Sequence, residues 1–219
     1  MTEKTQERKE FLKEQYFFDC KCVRCEDPNS DAKFSSLKCK NCPGWVHEST
    51  KICSGCNQKL KLSDDELFIV EMSKNGGLPF FKPTMKMKEI RSILKKYVKI
   101  FHGFNEIYNL CVLFVFHSPT FTLQYQKKDY DALMLRMELR KLGLNCSSGY
   151  LPKYCQDFVY YHCDMSDACI ELKYFDEAEF HLKKAEEICK VTYGEDHPYM
   201  QECQKSIMEL QFARILALK

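Results

Sequence analysis

The feature that most constrains this chain is a four-cysteine stretch, Leu37 to Leu60 (LKCKNCPGWVHESTKICSGCNQKL), where Cys39-x2-Cys42 and Cys53-x2-Cys56 stand ten residues apart. Each Cys-x2-Cys makes a tight turn that aims both sulfurs at one point. Two such turns converge four thiolates on a tetrahedral Zn2+, with Zn–S bonds of about 2.3 Å. Pro43-Gly44 and Ser54-Gly55 supply the turn chemistry. The intervening gap is short but long enough for a small hairpin. Four protein ligands fill the coordination sphere, so residues 37–60 are expected to be a structural zinc module with no open position for catalysis. A pair of disulfides, or reduced buried thiols, is the competing reading.

Fourteen cysteines occur in 219 residues, and seven of them fall within the first 56 at metal-ligand spacings. The others (Cys111, Cys146, Cys155, Cys163, Cys169, Cys189, Cys203) are scattered through helical-looking sequence. The polar start MTEKTQERKE has no cleavable-signal character. A reducing compartment, cytoplasmic and/or nuclear, is the expected setting. Lys and Arg total 33 against 31 Asp and Glu, a net charge of +2, so no overall field steers the chain to nucleic acid or a membrane. Lys38, Lys40, Lys51, Lys59 and Lys61, with Trp45 as a stacking ring, make the 37–60 module locally basic. The electrostatic footprint for nucleic acid is nevertheless small. The most apolar run, Leu110 to Phe116, is seven residues long, far short of the roughly 20 needed to span a bilayer.

Upstream of the module stands Cys20-x-Cys22-x2-Cys25, three cysteines in six residues. The spacing suits thiolate ligation, but three ligands are not four. His47, a water or a residue outside this chain are the candidates for the fourth. Residues 1–18 read as a short polar helix whose narrow apolar edge, Phe11 and Leu12, must dock on something. It leads into Tyr16-Phe17-Phe18, and spacing alone predicts ordinary core packing for Tyr16 and Phe18.

The pattern Thr5-x2-Arg8-x3-Leu12-x3-Tyr16-x-Phe18-x-Cys20-x-Cys22-x2-Cys25 resembles the post-SET segment of SET-and-MYND (SMYD) protein-lysine methyltransferases. The resemblance implies that these three cysteines share zinc with a fourth cysteine from a SET core. It also implies that Phe18 packs against S-adenosylmethionine and that Tyr16 borders the target-lysine channel. Neither a MYND finger, a SET core, an asparagine-histidine motif nor a catalytic tyrosine precedes the segment, so no catalytic residue is assigned. One wall of a pocket cannot hold methyl donor and amine in line. S-adenosylmethionine is expected to bind only with a SET core. The Cys39–Cys56 module resembles an insert found in some members, arthropod ones included.

From Ser63 the periodicity turns helical. Ser63 and Glu66 form a capping box, and Leu62 and Leu67 a hydrophobic staple. That helix should stop at Asn75-Gly76-Gly77, followed by a Pro79–Pro83 linker and a helix capped by Thr84, with Met87, Ile90, Leu94, Tyr97, Val98 and Phe101 inward. His102-Gly103 should close it. Residues 104–125 (FNEIYNLCVLFVFHSPTFTLQY) are anomalous: aromatic, β-branched and broken by Ser118-Pro119, they read more easily as strand than helix, with a buried helix of hidden period and a segment foreign to the fold as the alternatives.

A helix over 126–142 should turn Tyr130, Leu133, Met134 and Met137 inward and stop at Gly143. After a loop over 145–152, a helix over 153–172 carries Tyr154, Phe158, Tyr161, Met165 and Ala168 on one side. In its partner over 176–191, Phe175, Ala178, Leu182 and Ala185 take the offsets of the second helix of a tetratricopeptide (TPR) repeat. Tyr193-Gly194-x2-His197-Pro198 punctuates before a last helix with Met200, Cys203, Ile207, Leu210 and Ile215 inward. This loop also resembles the SMYD helical tail. His197 reads as a turn or capping residue.

The expected protein is therefore mostly α. A post-SET-like segment (1–28) and a four-cysteine zinc module (37–60) precede a TPR-like antiparallel helical domain (63–219). The resemblance implies the C-terminal portion of an S-adenosylmethionine-dependent lysine methyltransferase, inactive alone, with histone or non-histone proteins as partners. The alternative is a zinc-stabilised scaffold that clamps chaperone-type peptide tails, with Lys183 and Lys184 as candidate contacts.

Overall fold

The computed structural model describes residues 5–74, 85–116, 119–149 and 151–217. The described chain is mostly helical, with one two-stranded antiparallel sheet. In order the elements are α1 (Thr5–Tyr16), α2 (Val23–Glu26), α3 (Ser30–Phe34), β1 (Leu37–Lys38), β2 (Trp45–Val46), α4 (Asp64–Lys74), α5 (Met87–Ile100) and α6 (Ile107–Phe116). They continue with α7 (Pro119–Gln126), α8 (Tyr130–Ser148), α9 (Gln156–Glu171), α10 (Phe175–Thr192) and α11 (Pro198–Ala217). The chain divides into two compact units. Unit 1 comprises residues 1–81 and 92–111, and unit 2 comprises residues 82–91 and 112–219. The expected Asn75-Gly76-Gly77 stop, the Pro79–Pro83 linker, the Thr84 cap and Ser118 lie outside the described residues.

Unit 1 is built around the cysteine module. β1 pairs with β2 in the register Leu37↔Val46 and Lys38↔Trp45, and single bridges add Val46↔Cys53 and Ile52↔Lys59. A further bridge, Leu37↔Phe101, ties the module to the end of α5. Two-residue strands cannot sustain a sheet unaided, and polar bonds supplement them. The Ser36 carbonyl accepts from Asn105 Nδ2 (2.8 Å) and from the His102 amide (3.2 Å), and the Glu106 amide donates to the Phe34 carbonyl (3.0 Å). Leu37, Val46, Tyr97, Phe101 and Tyr108 are buried beneath them. The capping box forms reciprocally at α4. The Ser63 amide donates to Glu66 Oε2 (2.8 Å), and the Glu66 amide donates to Ser63 Oγ (3.3 Å). The staple partner Leu67 is exposed.

Ile107–Phe116 and Pro119–Gln126 are helical, against the strand-like reading. α6 buries one face, Ile107, Tyr108, Cys111, Val112 and Val115, but almost every residue of the run is apolar, the exposed Leu110 included, so the sequence shows no 3.6-residue alternation with polar residues. A helix apolar nearly all round hides its period, and burial overrides the β preference of branched residues. Asn105 Oδ1 starts this helix by accepting the Ile107 amide (2.9 Å). Pro119 opens α7, where a missing N–H costs nothing.

Unit 2 contains two apolar clusters. One joins Leu133, Met137, Ala168, Cys169, Ala178, Leu182 and Leu210, and the other joins Phe158, Val159, Ala185, Ile188, Met200 and Cys203. α9 packs most extensively against α10, and α10 packs against α11. The predicted faces of α9 and α10 are met by Phe158, Met165, Ala168, Ala178, Leu182 and Ala185, all buried. Four expectations need correction. Tyr130 and Ile215 are exposed, and so is Tyr154, which lies before α9 begins at Gln156. α8 is capped by Asp129, whose Oδ1 accepts the Ala132 amide (3.1 Å), and it runs to Ser148. Gly143 therefore sits inside α8 and is buried there rather than ending it.

Beneath these helices, Asp164 is 4 % exposed and accepts from the guanidinium groups of both Arg136 and Arg140. Tyr125 and Tyr160 stack their rings on the same two cations, at 3.9 and 4.6 Å from the guanidinium carbon to the centroid.

Candidate metal centre

The Cys39–Cys56 module forms as its spacing demands. The first knuckle follows β1 and the second follows the Val46↔Cys53 bridge, so the ladder sets their mutual position. The ligand atoms of Cys39, Cys42, Cys53 and Cys56 all lie within 4.8 Å of one another. Cys39 and Cys56 sulfurs are 3.7 Å apart, and those of Cys42 and Cys53 are 3.5 Å apart. Tetrahedral ligation with Zn–S bonds near 2.3 Å places sulfurs about 3.8 Å apart, so the cluster has the size to hold such an ion.

Backbone amides point into the cluster from each turn. Asn41 N donates to Cys39 Sγ, Gly44 N to Cys42 Sγ and Gly55 N to Cys53 Sγ, each at 3.4 Å. These bonds orient the ligands and favour their thiolate form. The glycines are structurally required. A Cβ on Gly44 would lie 3.0 Å from both Cys53 Sγ and the Gly55 nitrogen, and one on Gly55 would lie 3.2 Å from Cys42 Sγ.

The electrostatics fit a cation. Burial opposes ionisation of Cys53, but amide bonds from Cys56 and Gly55 and the neighbouring thiols outweigh it and bring the thiol down to about 6. At Cys42 the Gly44 amide favours the thiolate, yet the adjacent Cys53, burial and the other thiols push it up to about 12. One thiolate forms readily and makes the next costly, unless positive charge enters. Cys39 and Cys53 are buried while Cys42 and Cys56 are partly open, which leaves a side for metal entry. All fourteen cysteines are free thiols in this structure.

Cys20, Cys22 and Cys25 form a second cluster whose ligand atoms also lie within 4.8 Å of one another. Cys22 precedes α2, and the amides of Cys25 (2.8 Å) and Glu26 (3.1 Å) bond to its carbonyl, which folds the three sulfurs together. Burial works against the Cys22 thiolate, but the Cys25 amide and the two neighbouring thiols bring it to about 7. Cys20 is pushed up: the Cys22 amide favours its thiolate, but hydrogen bonds to the Cys22 and Cys25 side chains outweigh that.

Sequence reasoning missed the cation at this cluster. Arg8, 7 % exposed, donates from Nη2 to Cys25 Sγ at 3.1 Å. It is the buried residue of α1, whereas the expected apolar edge at Phe11 is exposed. The available signal was a lone arginine seventeen residues before a thiol, with no helical partner. His47 does not complete the cluster. Among the described residues it contains only the three thiols, and His47 Nδ1 instead contacts Ser49 Oγ at 2.9 Å.

Tyr16 and Phe18 are 63 % and 48 % exposed, flanking Phe17, which is 88 % exposed at φ 58°. The core packing expected of them from spacing does not occur. His197 behaves as a turn residue. Its Nδ1 accepts the Tyr199 amide (3.2 Å), its ring stacks on Tyr193 at 4.4 Å, and Gly194 takes φ +89°. Lys183 and Lys184 are engaged with Glu179 (2.6 Å) and Glu187 (2.8 Å) on their own helix.

No family model matches this chain, and no curated protein sequence matches it. None of the described helices is long and apolar enough to cross a membrane.

Proposed function

We propose that these 219 residues are the post-SET and C-terminal portion of an SMYD-type protein-lysine methyltransferase. In this reading Cys39, Cys42, Cys53 and Cys56 hold a structural zinc ion. Cys20, Cys22 and Cys25 hold a second zinc together with a cysteine of a SET core. The observation that carries the reading is the pairing of an incomplete three-thiol cluster with three consecutive exposed aromatics, Tyr16, Phe17 and Phe18. Burying such rings is favourable by about 1.5–3 kcal/mol each, and a docking SET core would cover them while supplying the missing ligand. There Phe18 would pack against S-adenosylmethionine and Tyr16 would border the lysine channel. These residues supply a wall and a metal clamp, and the methyl-transfer chemistry belongs to the core.

The helical portion is read as TPR-like on the strength of buried Ala178, Leu182 and Ala185 in α10 against α9. Small residues at those offsets allow close helix approach. Histone or non-histone proteins are the substrate partners of this reading. The scaffold alternative, a clamp for acidic chaperone-type tails, is weakened because Lys183 and Lys184 already face carboxylates. A pull-down with acidic C-terminal peptides is expected to return no enrichment.

Native mass spectrometry and methyl transfer together test the main reading. Alone, the chain is expected to retain one zinc and transfer no label from S-adenosylmethionine to histones. Mixed with an SMYD SET-core fragment, it is expected to retain a second zinc that Cys22→Ser abolishes, and to raise transfer. A second zinc held equally well without the fragment, with no gain in transfer on mixing, would overturn it.

A further inference from the structure

Within unit 2, the first turns of α9 and α11 and the end of α10 frame a cavity of about 700 Å3. Its walls include four rings, Tyr160, Tyr193, His197 and Tyr199, and its charged lining is two carboxylates, Asp157 and Glu202. No lysine or arginine lines it among the described residues. Three of the rings form one cluster: Tyr193 and His197 stack at 4.4 Å, and Tyr199 meets them edge-on or tilted at 5.2 Å. Tyr193 Oη donates to Gln156 Oε1 (3.0 Å), which fixes that ring. Tyr160 already seats one cation, since Arg140 lies over its ring while Asp164 neutralises the guanidinium.

Two helix N-termini meet here, a feature that ordinarily favours anions. In α11 that preference is cancelled. Pro198 has no N–H, the Tyr199 amide donates to His197 Nδ1 (3.2 Å), and the Met200 amide donates to the His197 carbonyl (2.8 Å). In α9 the Phe158 amide is taken by the Cys155 carbonyl (3.0 Å), and Asp157 already places a carboxylate in the first turn. With no cationic side chain among the described lining residues, Asp157 and Glu202 give the cavity its charge complementarity for a cation. The Tyr193 phenol is pushed above its ordinary value, by burial first and then by its neighbours Tyr199, Cys189 and Asp157.

We propose that this cavity binds a methylated ammonium group presented by a peptide, the side chain of trimethyl-lysine. Aromatic rings attract cations through their quadrupoles, and a quaternary ammonium gives up its weakly held water more readily than a primary one. The two carboxylates add charge complementarity, which a neutral acyl-lysine would not use. The size of the cavity decides between sources. It falls in the range of sites for drug-sized ligands and so accommodates a lysine stem with flanking residues, not a lone head group such as choline. This inference stands apart from the methyltransferase reading and survives or fails without it.

The test is isothermal titration calorimetry on the zinc-loaded 219-residue chain. The ligands are a short neutral-flanked peptide carrying trimethyl-lysine, the same peptide with acetyl-lysine, and choline. The trimethyl-lysine peptide is expected to bind at least about tenfold more tightly than either comparison, the scale of a desolvated cation–ring contact. Tyr199→Ala and Glu202→Gln are each expected to weaken it about fivefold or more, while Tyr199→Phe, which keeps the ring, leaves it unchanged. Circular dichroism melts verify that each variant is folded. Equal affinity for the two peptides, choline binding as tightly as the peptide, no binding by folded protein, or equal damage from Tyr199→Phe and Tyr199→Ala would overturn the assignment.

Discussion

The two units solve the same problem with different chemistry. In unit 1 the regular structure around the cysteine module amounts to two strands of two residues each and single bridges. In unit 2, helices of 16 to 20 residues interlock two apolar clusters, with Leu135, Leu139, Met165, Leu182 and Met200 fully buried. The first arrangement orders backbone without enough apolar burial to offset the entropy. Its knuckles bring four thiols within 4.8 Å, so a bound ion would supply folding free energy that side chains do not. Cysteine itself has opposite uses in the two places. Cys53 is drawn down to about 6 and sits among four thiols that could hold a metal ion, whereas burial pushes Cys169 up to about 12 and leaves it an apolar filler.

Metal removal should expose that difference with the largest effect. Apparent zinc free energies in zinc-finger peptides are about 10–16 kcal/mol, comparable to a whole domain's typical stability of about 5–15 kcal/mol. A strong chelator, or Cys53→Ser, is expected to abolish amide-exchange protection across 37–60 while residues 156–217 keep theirs. Protection in 37–60 that survives chelation would break the comparison, because packing would then suffice in both units.

The next effect belongs to unit 2 and to its charged interior. Asp164→Ala would leave Arg136 and Arg140 without the carboxylate they share, both in surroundings that already pull their guanidinium pKa values down, by burial first. Breaking a buried ion pair from one side costs about 3–5 kcal/mol. The urea midpoint of unit 2 is expected to fall accordingly, with zinc binding untouched. A change under about 1 kcal/mol would show that water reaches these guanidiniums.

Acid should act more gently on the same unit. His162 and His181 are buried with their Nδ1 atoms 2.9 Å apart, one ring donating to the other. Burial, then His181, then Lys184 bring His162 down to about 4, and burial lowers His181 despite Glu177, with Lys141 adding to the fall. The unfolded ring takes its proton near pH 6.5. Between these values the unfolded chain binds more protons, so stability declines as pH falls from about 6.5 and levels off near 4. The total for His162 is at most about 3 kcal/mol. Urea midpoints read from amides of α9 and α10 should follow this slope, and His162→Gln should flatten it. A slope unchanged by the substitution would assign the acid sensitivity of unit 2 to another group, His181 first.

Much of this was legible where chemistry dictates short-range spacing. The two Cys-x2-Cys turns, the Ser63/Glu66 box and the Ala178–Leu182–Ala185 face each follow from local geometry. What stayed hidden was set by partners distant in sequence. The His162–His181 contact and the Arg8–Cys25 bond join different helices, and no local pattern announces them. Arg136 and Arg140 did carry a signal. Like charges at i and i+4 on one helix repel, so a shared buried counter-ion such as Asp164 was there to be sought. Residues 107–116 misled because nearly all of them are apolar, the exposed Leu110 included, so no polar stripe marks the helical period.

Gly143 gives the smallest prediction and the sharpest check on unit 2. Read as a stop, it should tolerate no side chain, yet it lies within α8 without left-handed backbone. A Cβ there would meet Val112 Cγ2 at 3.6 Å and Tyr161 Cζ at 3.7 Å, both ordinary van der Waals distances. Alanine would therefore fill available space and remove glycine's entropic cost, which in a helix interior is about 1 kcal/mol. Gly143→Ala is expected to raise the urea midpoint of unit 2 by an amount worth about 0.5–1 kcal/mol. The contrast with Gly44 is instructive: its Cβ would meet backbone and sulfur at 3.0 Å, where neither can yield without displacing a ligand. If Gly143→Ala instead destabilises the protein, α8 and Tyr161 pack more tightly than these distances allow, and unit 2 is less tolerant of added volume than its helical core implies.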